Sequence, residues 1–317
     1  MGVDYFKTDY PALARDLASV RKRMKKTIAI KNPLIEAAIF DVLDAGGKML
    51  RPAYLLLFSE LVGLEEELKL NLAAAVEMLH TATLVHDDVI DKANIRRGVA
   101  TISSRYGVDS AVYAGDYLFV CAVKLLAKYS ESLSHLTDQL GSVERLLNGE
   151  IGQMNERFDL TQSITSYLEN IEGKTAELFA VSCSVGPLVA GNKRLAQTAH
   201  DVGLAVGTAF QIMDDYLDYA SSSESLGKPV LEDIKQGVYS APAIYALEAD
   251  ARVAAAIRQG NVEAVYELVH ATGALDKTKK LAASYTTKAL KLIGKLPESE
   301  AQTALADITE KLLERVV

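Results

Sequence analysis

Two acidic clusters of the same form, Asp87-Asp88-Val89-Ile90-Asp91 and Asp214-Asp215-Tyr216-Leu217-Asp218, lie inside long apolar segments of this chain. Ionised carboxylates beside an apolar core are costly unless something compensates them. The spacing Asp-Asp-x-x-Asp also says what the backbone must be. On a helix, positions i and i+4 share a face, one turn apart. Asp87 then projects with Asp91, and Asp214 with Asp218, while Asp88 and Asp215 are turned by roughly 100°. Two such helices facing each other would bring all six carboxylates to the mouth of one cavity. The compensator expected there is a cluster of hard divalent cations, Mg²⁺ above all, whose shell is completed by water and substrate phosphate. An enzyme that handles a diphosphate is the reading that follows.

The rest of the chain agrees with helices. Apolar residues recur at helical spacing almost from end to end. The expected helices are 11–28, 32–45, 50–61, 65–91, 106–128, 132–156, 164–190, 192–219, 238–248, 251–257, 261–271, 275–295 and 298–315. Breaks fall at Asn32-Pro33, Ala45-Gly46-Gly47, Arg97-Gly98, Tyr106-Gly107 and Gly227-Lys228-Pro229. Glu65-Glu66-Glu67 reads as a solvated helix start, where acids suit the dipole. No strand-length alternation is bounded by hairpin turns. The fold class expected is all-α: one large helical bundle around a central cavity, with residues 1–317 as a single domain. Hydrophobic residues make up 49% of the chain, enough for a sizeable helical core. No signal peptide is expected, and no uninterrupted apolar run approaches the roughly 20 residues needed to span a bilayer. Cys121 and Cys183 sit in apolar surroundings and are expected as buried thiols, which suits a cytoplasmic protein. A net charge of −8 argues against general nucleic-acid binding.

A diphosphate enzyme needs positive charge besides metal. The breaks between helices supply it. Lys48 and Arg51 follow Gly46-Gly47, where a flexible turn feeds a helix N-terminus that favours anions. Arg96 and Arg97 follow one turn after Asp91, Lys174-Thr175 follows Gly173, and Lys228 and Lys235 lie in the segment after the second triad. These groups divide into two anion sites, one bridged by metal and one held by Arg and Lys alone. His80, two turns before Asp87, can donate to a phosphate oxygen. His86 is turned away from Asp87 and is given no role. Gln211, three residues before Asp214, either presents its amide to a reacting carbon or hydrogen-bonds the network of Asp215.

The motifs Gly46-Gly47-Lys48-x-x-Arg51-Pro52, Leu79-His80-x-Ala82-x-Leu84-x-His86-Asp87-Asp88-x-x-Asp91, Arg96-Arg97-Gly98, Lys174-Thr175-Ala176, Phe210-Gln211-Ile212-x-Asp214-Asp215-x-x-Asp218 and Gly227-Lys228 resemble those of the trans-type polyprenyl diphosphate synthases. The likeness runs over nearly the whole chain. It is strongest to the catalytic subunit of two-component heptaprenyl diphosphate synthases, through Gly149-Glu150-Ile151 and the stretch from Lys174 to Cys183.

The resemblance implies an all-α prenyltransferase that condenses an allylic diphosphate with isopentenyl diphosphate. It implies Mg²⁺, three ions per site, on Asp87, Asp91 and Asp214, with Asp88, Asp215 and Asp218 as supporting ligands. Lys174, Lys228 and Arg96 close around the allylic diphosphate, and Lys48, Arg51, His80 and Arg97 hold isopentenyl diphosphate. Thr175 and Gln211 place oxygens near the allylic carbon. Many relatives carry a Lys where Val238 stands, so Lys228 and Lys235 must serve that lobe alone. The implied partners are a second copy of the chain or a small regulatory subunit, with the product handed to the membrane.

Thr83 and Ala82, at i−4 and i−5 from Asp87, are small, and Leu79 and Ala75 continue the same face. An isoprene unit is about one helical turn long, so a product of about C30–C40 is expected. A geranylgeranyl or farnesyl diphosphate synthase is the alternative. A terpene cyclase disagrees with the second acidic triad and the second clamp, and a non-catalytic subunit disagrees with two intact triads.

Overall fold

The computed structural model describes residues 4–127, 141, 144–145, 148, 151–152, 157–220 and 233–313. Within them the chain is helical almost throughout. The helices are α1 (Asp4–Lys7), α2 (Pro11–Thr27), α3 (Pro33–Ala45), α4 (Leu50–Glu60), α5 (Glu66–Ile90), α6 (Ile102–Tyr106), α7 (Val108–Ala127), α8 (Ile164–Ile171), α9 (Glu177–Val189), α10 (Lys193–Ala220), α11 (Ala241–Ala249), α12 (Ala251–Arg258), α13 (Val262–Ala271), α14 (Ala274–Ile293) and α15 (Glu300–Leu313). Their ends follow local chemistry. Pro11 and Pro33 stand in first turns, where no N–H is needed. Asn32 caps α3 by accepting from Leu34 N at 3.0 Å. Glu65 caps α5 by accepting from the N–H groups of Glu67 and Leu68.

Three features go beyond the periodicity. A five-residue π-turn, Glu172–Ala176, joins α8 to α9 where Gly173-Lys174-Thr175 interrupts the pattern. A short helix, α6, precedes α7. A minimal antiparallel hairpin pairs β1 (Ile95–Arg96) with β2 (Val99–Ala100). Its strands of two residues are too short for alternation to reveal. Its turn, Arg97-Gly98, has positive φ at both residues, 52° and 80°, the pattern that matches strand twist in tight hairpins. Most of the helix expected over 132–156, and the Gly227-Lys228-Pro229 break, lie outside the described residues.

By their contacts the residues divide into two compact units. The first comprises Met1–Gln139, Ser182–Ala199 and Ser299–Ala304, and the second Leu140–Val181, His200–Glu298 and Leu305–Val317. Neither is a continuous stretch of sequence.

In the first unit α5 is the central rod. From Leu70 to Leu79 it is buried on every side, as befits a helix without a polar face. It packs along α7 and against α2 and α4. The α5–α7 approach depends on Gly115, because any Cβ there would collide with the His86 imidazole. His86 lies 3.3 Å from Asp116 Oδ1, so its place is in this helix contact.

The second unit has its own core, centred on Ile212, Tyr219, Ile244, Val253, Val265 and Val269. Glycines allow close helix approaches here. A Cβ on Gly207 would fall 2.5 Å from the Cα of Ala176, which ends the π-turn. Gly207 therefore seats the segment that carries Lys174 and Thr175.

Candidate active site

The first triad closes α5. The helix is assigned to Ile90, but Asp91 keeps helical dihedrals (φ −83°, ψ −2°), and its N–H bonds to Asp87 O at 2.8 Å. Asp87 and Asp91 therefore stay one turn apart on one face. Asp88 is buried, and Arg96 Nε donates to its Oδ1. Burial pushes the Asp88 carboxyl up, and the Arg96 bond opposes it. Arg96 thus ties the triad to the hairpin.

The metal-free cations gather in the same unit. Arg51 Nη1 lies 3.2 Å from His80 Nε2. Burial pulls the Arg51 guanidinium down to about 10, with Glu77 opposing and Arg97 assisting, and it stays charged at neutral pH. Burial, then Arg51, Arg97 and Arg96, hold His80 well below its ordinary range, so it is neutral. Arg97 covers the backbone of Gly47, where an added Cβ would meet Nη1 at 2.7 Å. The glycine expected to admit a ligand here admits the side chain of a neighbouring cation. Lys48 is partly buried beside it. Met49, Lys92 and Arg97 are all left-handed, at φ 53°, 52° and 52°. Such backbone costs on the order of 1–3 kcal/mol per residue and collects at functional sites.

The second triad lies in the last turns of α10. Asp214 is exposed, and Asp215 and Asp218 are partly buried. Asp215 is fully engaged: Tyr167 OH donates to Oδ2 at 2.6 Å and Gln211 Nε2 to Oδ1 at 2.8 Å. Thr175 Oγ1, on the π-turn, donates to Gln211 Oε1 at 2.8 Å. Of the two roles open to Gln211, this geometry displays the bond to Asp215. Burial pushes Asp215 up to about 7; the bonds from Tyr167 and Gln211 oppose it, and Asp214 and Asp218 add to it. Lys174 is partly buried on the same π-turn. Lys235 is exposed and borders a cavity of about 190 Å³ with Phe158, Ile234, Tyr239 and Val265, which no triad carboxylate lines. Lys228 lies outside the described residues.

Both triads suit divalent cations on this structure's own terms. Each sits at the C-terminal end of a long helix, where the macrodipole disfavours negative charge. Neither helix has a Lys or Arg in its last turn. Among the described residues no three His, Cys, Asp or Glu side chains form a closed metal cage. Mg²⁺ ordinarily takes one or two carboxylates and leaves its remaining positions to water and phosphate.

Three buried groups escaped the sequence reading. Glu77, 6% exposed, faces Arg51, Arg97 and Arg21, and burial pushes its carboxyl up. A lone acid within the run Ala73-Ala74-Ala75-Val76 was its available signal. Tyr167 showed none, because an aromatic at helical spacing reads as core. Glu177, buried after the π-turn, accepts from Arg145 Nε at 2.7 Å.

Residues 32–272 match the family model described as polyprenyl synthetase. Heptaprenyl diphosphate synthase component 2 of Geobacillus stearothermophilus is 37% identical over 311 residues, covering 95% of this chain and 96% of that protein. The crystal structure of geranylgeranyl pyrophosphate synthase from Lactobacillus brevis superposes with a TM-score of 0.94 at 36% identity, covering 98% of this chain and 99% of that one. A polyprenyl synthase from Caulobacter crescentus, complexed with calcium and isoprenyl diphosphate, gives 0.89 at 32% identity, covering 99% and 98%.

Proposed function

The chain belongs to the polyprenyl synthetase family, and within it we propose a catalytic trans-prenyltransferase. Its reaction joins farnesyl or geranylgeranyl diphosphate to successive isopentenyl diphosphates, giving an all-trans product of about C30–C40 for quinone side chains. The observation that carries this reading is two different anion chemistries in one chain. Two carboxylate triads close long helices whose last turns carry no Lys or Arg, and Arg96 meets the first of them at Asp88. A separate cluster gathers Arg51, Arg97 and neutral His80 around one buried acid, Glu77.

In this reading residues 1–317 work as one domain. Asp87 and Asp91, with Asp88, would hold Mg²⁺ for the allylic diphosphate, and Asp214, with Asp215 and Asp218, would hold it likewise. The metal supplies Lewis-acid neutralisation of the leaving group. Lys174, Lys228 and Arg96 add charge to the same diphosphate, and Lys235 flanks that lobe. Lys48, Arg51, His80 and Arg97 hold isopentenyl diphosphate so that its double bond is presented to the allylic C1. The C1–O bond breaks, the double bond attacks C1, and a proton passes to the departed pyrophosphate. Thr175 faces the cation with its oxygen, and Gln211 stands behind it.

The Geobacillus relative is named as one component of a synthase. We carry that over as a proposal that this chain works with a second subunit, either its own copy or a dissimilar one. On α7, Val108, Val112, Tyr113 and Val120 are exposed beside Asp109 and Asp116, a mixed surface open to such a contact. The test is product chromatography with farnesyl and isopentenyl diphosphates, with and without Mg²⁺ and candidate subunits. Metal-dependent elongation is expected. No condensation under any of these conditions would reject the catalytic reading in favour of a non-catalytic subunit, and products ending at C20 would favour a geranylgeranyl synthase.

A further inference from the structure

Tyr167 is buried on α8 and lies outside every motif above. Its hydroxyl starts a chain of three hydrogen bonds: Tyr167 OH to Asp215 Oδ2 at 2.6 Å, Gln211 Nε2 to Asp215 Oδ1 at 2.8 Å, and Thr175 Oγ1 to Gln211 Oε1 at 2.8 Å. The direction of this chain is not free. The bonds from Tyr167 and Gln211 both favour the ionised form of Asp215, and in that form it offers only acceptors. Gln211 must therefore turn its NH₂ toward Asp215 and its carbonyl toward Thr175. The single hydroxyl hydrogen of Thr175 is then committed to Gln211. What Thr175 has left to present is a pair of lone pairs.

We infer that Tyr167 is a positioning residue for prenyl transfer. By fixing Asp215 it sets the polarity of the Gln211–Thr175 chain, so that Thr175 offers lone pairs, and not a hydrogen, to the allylic cation. The inference rests on the prenyl-transfer reading above. Its physical basis is that dipoles aimed in advance at a developing charge need no reorientation during the reaction. A part-buried chain of hydrogen bonds also stiffens its members, and Thr175, 7% exposed, is held at its end. Without the phenol, Asp215 keeps one donor fewer, its carboxylate plane is free to turn, and the amide of Gln211 loses its fixed partner.

The test compares Tyr167→Phe, Thr175→Val and the double variant, assayed with Mg²⁺, farnesyl diphosphate and isopentenyl diphosphate. Tyr167→Phe should lower kcat about tenfold, while both KM values stay within about twofold. Thr175→Val should lose a similar factor. The double variant should match Thr175→Val alone, because Tyr167 acts through Thr175. Multiplied losses of about a hundredfold, or an unchanged kcat in Tyr167→Phe, overturn the inference. Melting curves establish that the variants are folded. If Tyr167→Phe is not, Gln211→Met breaks the same chain one link further on. It should lose about tenfold in kcat and add nothing to Thr175→Val, and multiplied losses would again overturn the inference. A wild-type chain that condenses nothing would instead sink the functional reading, and this inference with it.

Discussion

Arg51 donates to His80: a guanidinium has no acceptor, so at 3.2 Å the imidazole Nε2 must receive and its proton must sit on Nδ1. His80 was expected as a direct phosphate donor. The geometry makes it first a holder of Arg51, with only Nδ1–H left to give.

His80→Phe should therefore act through Arg51. It takes a hydrogen-bond acceptor away from a buried guanidinium and should raise the KM for isopentenyl diphosphate about tenfold. His80→Gln keeps an acceptor and should change it by less than about threefold. Lys48→Ala and Arg51→Ala should raise the same KM by about one to two decades, because losing a charged hydrogen bond costs roughly 1.5–3 kcal/mol. Steady-state kinetics with each substrate varied in turn decides the matter. A rise confined to the allylic KM would mean that the two anion sites were assigned the wrong way round.

Asp87→Ala and Asp214→Ala should remove at least about two decades of kcat without loss of apo stability. Each deletes one negative charge from a helix C-terminus that disfavours it. Turnover at high Mg²⁺ and the melting temperature without metal are the two measurements. Near-normal turnover in either variant would contradict the metal assignment.

Asp215 gives a pH prediction. It is pushed up to about 7 in the fold, chiefly by burial, against about 3.9 in an unfolded chain. The folded state therefore binds the proton more tightly. The stability this group contributes is fully present below the unfolded pKa and is lost as pH rises through about 7. Asp215→Asn cannot lose it. In metal-free buffer the variant's melting temperature should gain on wild type steadily between about pH 4 and pH 8. A difference that stays flat over that range would show that Asp215 does not titrate there.

Much of this could be read in the sequence because its chemistry repeats at short range. Helix ends followed from Asn32-Pro33 and Glu65, and the triads stayed on single faces because Asp91 remains helical. What the sequence withheld depends on distant contacts. Nothing near Tyr167 says that Asp215 lies at its hydroxyl, 48 positions away. Nothing near Gly47 says that Arg97 will occupy the space above it. Both glycine and tyrosine have ordinary local reasons to be where they are.

Ala82 is buried and Thr83 partly buried on α5. Ala82→Phe or Thr83→Tyr should shorten the product to about C15–C20, because the ring is added about one turn from Asp87, at the small residues from which the long product was expected. Overpacking could cost about 1–3 kcal/mol, so folded protein must be verified by its melting curve. Unchanged product length in a folded, active Ala82→Phe enzyme would show that the tail takes another route.

The π-turn acts as a gear between the two ends of one rod. In an uninterrupted helix, Tyr167 and Thr175 would point roughly 80° apart, since eight residues turn about 800°. Widening the turn at Glu172–Ala176 takes up part of that angle. Tyr167 then meshes with Asp215 and Thr175 with Gln211, one helical turn apart on α10. Losing a single residue between 172 and 176 would disengage them while leaving every side chain of the network in the sequence. The network is thus set by the count of residues across the turn as much as by their identity.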